Sequence, residues 1–147
     1  MSLHAFASGC NVIATKKNGK IYGMTCAWAT MVDYSYVGML LGSQSETGNI
    51  LEVNDIVGVS SLAKDQKDIC LKIGEHHSSG NKFDGVKLHM QNSAVLIDDA
   101  KVMMVCKVSK ILHLIDGEED RFVLLEVLDS KQDKEKEFLT LEEVYPN

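Results

Sequence analysis

Short apolar runs rich in β-branched residues recur along the chain, each closed by glycine, asparagine or a charged cluster, and they set its elements. In residues 12–22 such runs flank Asn18-Gly19, the residue pair that supplies both positive-φ positions of a type I′ turn, so a hairpin is predicted. Its second strand is expected to run on through residues 23–32. There the small residues Gly23, Ala27 and Ala29 suggest a close approach to the backbone. Further strands are predicted over 36–41, 57–62, 95–97, 101–115 and 121–128, with the acidic turn 116–120 joining the last two. Lys107, Ser109 and Lys110 break the alternation of the long run, which predicts a bulge near 109–110. Ser43 and Glu46 have capping-box spacing ahead of Ile50 and Val53, predicting a short helix with hydroxyls crowding its first turn. A second helix is expected to start at Asp65, turn Ile69, Cys70 and Ile73 inward and stop at Gly74. Residues 76–85 and 131–137 read as loops, and 140–143 as a capped turn. Six or seven strands with two short helices suit a closed antiparallel barrel carrying helical excursions.

Composition narrows the class. The 147 residues, 45% of them hydrophobic, are enough for one core, so residues 1–147 are read as a single domain. Pro146 is the only proline, which argues against proline-rich linkers. A net charge of -6 speaks against nucleic acid or anionic membrane as a partner. No stretch approaches the roughly 18 apolar residues of a membrane span. Residues 1–10 lack a basic segment leading into an apolar one, so a cytoplasmic protein is expected. Cys10, Cys26, Cys70 and Cys106 are widely spaced among apolar neighbours and read as buried, reduced thiols.

Motifs of enzymes that carry their own chemistry are absent: there is no GxGxxG, GxxxxGK[ST], GxSxG or HExxH. Any reaction is therefore expected to reside in a cofactor. The hydroxyl-rich segment Ser43, Gln44, Ser45 and Thr47 offers donors at a helix start. Those groups either wrap a phosphate or simply cap the helix. His76-His77, with Cys70 or His89, lacks a third ligand at diagnostic spacing, so no metal is expected. Trp28 reads as a core anchor, His113 as a partly buried strand histidine, and Met103-Met104 as core filler.

Four segments in order carry a resemblance over residues 5–128. They are the hairpin, Tyr22-Gly23-Met24-Thr25-Cys26-Ala27-Trp28, Ser43-Gln44-Ser45-Glu46-Thr47 with Ile50, and Ser79-Gly80-Asn81-Lys82-Phe83. Together they resemble the flavin reductase-like FMN-binding split barrels, including the flavin domain joined to rubredoxin and the flavoredoxins. The resemblance implies a mainly β fold: a six-stranded antiparallel Greek-key barrel with two or three short helices. It implies a homodimer with one FMN per subunit, FMN in preference to FAD. Thr25, Cys26, Ala27 and Trp28 would line the isoalloxazine through backbone and side chain. Ser43, Gln44, Ser45 and Thr47 would meet the ribityl chain and phosphate. Ser79, Gly80, Lys82 and Phe83 would close the pocket. The implied activity is electron transfer from NADH or NADPH through FMN to oxygen, free flavin or an iron protein such as rubredoxin. The alternative is a non-catalytic flavin- or haem-binding barrel that carries electrons or senses. The chain departs from the family in having Asp33-Tyr34-Ser35-Tyr36 where a proline turn is usual, and in a shortened segment after Phe83. It also lacks the longer tail that covers the site in many reductases, and these departures bear on the nicotinamide-binding half more than on the flavin-binding half.

Overall fold

The computed structural model describes residues 3–75 and 82–146. Asn18 and Gly19 take φ values of 54° and 77°, and the turn they make joins β1 (Asn11–Lys17) to β2 (Lys20–Cys26). The remaining strands are β3 (Ala29–Met31), β4 (Tyr36–Leu41), β5 (Ile56–Ser61), β6 (Leu88–Gln91), β7 (Ala94–Ile97), β8 (Val102–Leu112) and β9 (Arg121–Gln132). Three short helices, α1 (Glu46–Ile50), α2 (Lys67–Gly74) and α3 (Leu141–Val144), complete the inventory. Every pairing is antiparallel.

The pairings form a circuit. β1 takes β2 on one side and β5 on the other, and β5 leads through β8, β9 and β4 to β3. Only Ala27 and Trp28 separate β3 from β2, so residues 20–31 act as one bent strand that pairs first with β1 and then with β4. Counted that way, six strands close on themselves, with the β6–β7 hairpin attached to β1 through Thr15 and Ala94.

The run Val12-Ile13-Ala14 is apolar without alternation because both faces of β1 are covered. Ile13 points into the barrel with Met39, Leu41, Val57, Val59, Cys106, Val123 and Leu125. Val12 and Ala14 point outward, beneath Cys70 and Ile73 of α2, Val144 of α3 and Val95 of β7. Each fully buried aliphatic side chain contributes about 1.5–3 kcal/mol, so two shared cores fix β1 as the central strand.

Several expectations need correction. The strand foreseen over 23–32 breaks at Ala27 and Trp28, where it changes partners. β6 was not foreseen, because all but its first residue are solvent-facing and apolar patterning is weak; Asn92, at φ 55°, turns it into β7. α1 is capped by Ser45 rather than Ser43, and Val53 stays exposed while Leu51 is buried. Asp65 does not cap α2. It lies in a 3-10 turn, Lys64–Gln66, whose start is held by the Gln66 side chain accepting from the Ala63 N–H at 2.9 Å. Ile69 is only partly buried there. β8 ends at Leu112, leaving His113 exposed beyond it, and β9 continues to Gln132. Met103 and Met104 are partly buried and pack against the cores. The foreseen bulge is present between Val108 and Lys110, the four cysteines are buried and free, and Thr140 caps α3 as expected.

Gly58 on β5 lets β7 cross closely. A Cβ there would lie 2.1 Å from the Val95 carbonyl oxygen, part of a backbone that cannot yield. Gly58→Ala is expected to lower stability by about 2–3 kcal/mol. The check is a fall in the urea unfolding midpoint with an unchanged slope.

Candidate functional site

β2 has β1 on one edge only, and its other edge diverges from β4. The gap is a cleft of about 270 Å³. Its walls are Met24, Thr25, Cys26, Ala27 and Trp28 from the bent strand, Leu40 from β4 and Gly42 just beyond it, Gln44 and Ser45 ahead of α1, and Ile73 and Gly74 at the end of α2. Thr25, Cys26, Ala27, Trp28, Gln44 and Ser45, all singled out from sequence, thus meet around one space.

The others lie differently. Ser43 is outside the lining, with its N–H donating to Asp120 Oδ1 at 2.8 Å. Thr47 is 1% exposed and also outside the lining. Lys82 is buried behind β2, where its Nζ donates to the Gly23 carbonyl at 2.9 Å, and burial holds its pKa below the ordinary lysine value. The Phe83 ring covers Gly23 so closely that a Cβ on Gly23 would sit 2.2 Å from it. Lys82 and Phe83 therefore brace the wall from outside instead of lining it. Ser79 and Gly80, with His76 and His77, lie outside the described residues.

Trp28 is not a core anchor. It is 67% exposed at the cleft. The Cys26 side chain joins the barrel interior, with its Sγ 3.4 Å from the Trp28 carbonyl oxygen and 3.3 Å from that of Leu40. Burial pushes this thiol up to about 11, so it keeps its proton at neutral pH. At the bend, the Ala29 N–H returns to the Ala27 carbonyl at 3.0 Å, and the Leu40 N–H donates to the Trp28 carbonyl at 3.0 Å. Among the described residues, the N–H groups of Ala27 and Trp28 donate to no protein acceptor. Two adjacent backbone donors beside an exposed indole form a ready place for a planar ligand with carbonyl or ring-nitrogen acceptors.

The cap and ligand readings of the hydroxyls prove compatible. Ser45 Oγ accepts from the Gly48 N–H at 3.3 Å, and Ser45 is also part of the cleft wall. What sequence reasoning missed is the clamp that holds this segment. Arg121 donates from Nη1 to the Gly48 carbonyl at 2.6 Å and from Nη2 to that of Leu51 at 2.9 Å, satisfying carbonyls at the end of α1. Lys17 adds a bond to the Ile50 carbonyl at 3.0 Å, and Lys20 pairs with Glu46 at 3.2 Å. These partners are distant in sequence, and no local pattern announces them.

Among the described residues lining the cleft there is no carboxylate, imidazole or amine. The described residues hold no cluster of three or more metal-ligating side chains. The described part of the lining offers hydrogen-bonding and apolar groups that could orient a ligand.

A family model described as the flavin reductase like domain matches residues 3–145. The fold is shared with solved structures of low sequence identity. The NADH:FAD oxidoreductase SgcE6 of Streptomyces globisporus C-1027 superposes with a TM-score of 0.79 at 21% identity, over 90% of this chain and 80% of that one. It has also been solved in complex with NAD and FAD fragments. Flavoredoxin from Methanosarcina acetivorans gives 0.78 at 11% identity, over 95% and 88%. An FMN-binding protein from Thermus thermophilus gives 0.76 at 13%, over 88% and 72%. Comparison with curated proteins returns no match.

Arg121→Ala removes two charge-assisted bonds and leaves the carbonyls of Gly48 and Leu51 without that donor. Stability is expected to fall by about 2–3 kcal/mol, read from chemical denaturation. Amide exchange over residues 43–51 should accelerate more than exchange in β5.

Proposed function

We propose that this chain, which belongs to the flavin reductase-like domain family, holds FMN in the cleft between β2 and β4 and passes electrons through it from NADH or NADPH to an acceptor. The observation that carries this reading is the convergence on one cleft of Thr25, Ala27, Trp28, Gln44 and Ser45, drawn from two separate segments of the chain. The donor set suits the group. A flavin presents carbonyl and ring-nitrogen acceptors along one edge, which the two N–H groups at Ala27 and Trp28 match, and Trp28 offers a face to its apolar end. Gln44 and Ser45 would meet the ribityl chain and phosphate, with Ser43 and Thr47 behind them. A structural relative that binds FMN and another solved with NAD and FAD fragments favour a flavin and a nicotinamide nucleotide here as well.

The chemistry a bound flavin supplies is two-electron transfer, a hydride equivalent taken from the nicotinamide and electrons given to oxygen, free flavin or an iron protein. The chain's part is positional. Thr25 to Trp28 orient the ring edge, the end of α2 closes one side against water, and the Arg121 clamp keeps the polar lip in place. Orientation of two reactants is itself a large share of the acceleration of such a step. The same reading takes residues 1–147 as one flavin domain acting in the cytoplasm as a homodimer. The apolar residues Met31, Val32 and Tyr34, exposed along and beyond β3, favour a second copy as cover. The described residues of the cleft lining include no lysine or arginine to grip a nucleotide's phosphates, which favours, as a second reading, a flavin carrier reduced by another protein.

Trp28 is the sole tryptophan, so it reports directly. FMN titrated into the protein is expected to quench its emission, and Trp28→Ala should weaken binding about tenfold. NADH or NADPH added without oxygen should bleach the flavin band. Bound flavin that neither nucleotide bleaches would select the carrier reading, and protein that takes up neither FMN nor FAD would overturn both.

A further inference from the structure

The cleft begins where the barrel seam opens, and Cys26 sits at that point. On one lip lies the bend at Ala27 and Trp28; on the other, β4 at Leu40. One backbone bond, Leu40 N–H to Trp28 carbonyl, joins them, and the Cys26 Sγ lies within 3.4 Å of the Trp28 carbonyl oxygen and 3.3 Å of that of Leu40. A single S–H shared between two carbonyls is weak. Its place makes it matter, because Ala27 and Trp28, whose N–H groups donate to no protein acceptor among the described residues, lie in the same peptide segment on the cleft wall. Cys106, buried in the same interior core, makes no such bond among the described residues.

We propose that Cys26 is a positioning residue, whose thiol bridges the two lips of the seam and thereby fixes the direction in which the Ala27 and Trp28 N–H groups meet the acceptor edge of the bound ring. The claim about the ring rests on the flavin reading; the bridge itself does not. A thiol suits the position, because its sulfur lies close to both carbonyls and belongs to the core that holds Val37, Met39 and Val57.

The test compares the full chain with Cys26→Ala, Cys26→Ser and Cys106→Ala. The first readout needs no flavin: hydrogen exchange of the Leu40 amide, measured against core amides of β9. Cys26→Ala is expected to speed Leu40 exchange about fivefold beyond any global change. Cys26→Ser, which keeps a donor, should restore it to within twofold, and Cys106→Ala should move all amides together. The second readout is the dissociation constant for FMN, expected about fivefold higher in Cys26→Ala and within twofold of wild type in the other two. Cys26→Val, which removes the donor without leaving a void, replaces the alanine variant if that one does not fold. Leu40 exchange and FMN affinity that respond alike to the Cys26 and Cys106 alanine variants would overturn the proposal and reduce Cys26 to core filling. Wild-type protein that binds no flavin would overturn the flavin reading and the claim about the ring, and Leu40 exchange would then decide the bridge alone.

Discussion

The structure depends on one strand having to serve two neighbours. Residues 20–31 pair with β1 until Cys26 and with β4 from Ala29, and the two residues between carry the whole change of direction. A sheet of six strands needs such a step to close, and a strand that changes partner leaves backbone groups unpaired where it bends. The unpaired donors at Ala27 and Trp28, the opening between β2 and β4 and the exposure of the only tryptophan all follow from it. The cleft is a by-product of closure, sited where the bent strand has left β1 and not yet joined β4.

Support for that place comes from every side. Behind β2, Lys82 bonds to the Gly23 carbonyl and the Phe83 ring packs against Gly23, so the strand is braced from that side. Below it, the interior residues Met39, Leu41, Val57 and Leu125 fill the barrel. Beside it, α2 closes the cleft with Ile73 and Gly74 while burying Cys70 and Ile73 over the outer face of β1. The cleft is thus held from several sides by packing and hydrogen bonds.

What the sequence revealed and what it hid divide along the range of the interactions. The Asn18-Gly19 turn, the bulge before Lys110 and the Thr140 cap are local, and each was legible from a few residues. The group Thr25 to Trp28 with Gln44 and Ser45 was legible as a site because those motifs occur in a characteristic order, although only the fold shows that they face each other. Trp28 misled because an isolated tryptophan among small residues reads as core, and its exposure is set by the bend that no propensity encodes. Cys26 read as a lining residue and does line the cleft, while its Sγ turns inward to the Trp28 and Leu40 carbonyls, which no local pattern announces. Arg121 was invisible for a simpler reason: its partners lie 73 and 70 residues away, and nothing near it in the chain marks them.

That same distance bears on how the protein acquires its site. β1 and β2 meet across a two-residue turn and can form as soon as both are made, but α1 remains unclamped until Arg121 arrives from the far end of the β8–β9 ribbon. Closing a loop of that length is slow relative to hairpin formation. The cleft is thus among the last features to be completed, after most of the chain has left the ribosome. A ligand that recognises the finished cleft binds only correctly assembled chains, withdraws them from the unfolding equilibrium and so doubles as a stabiliser of the fold that built it.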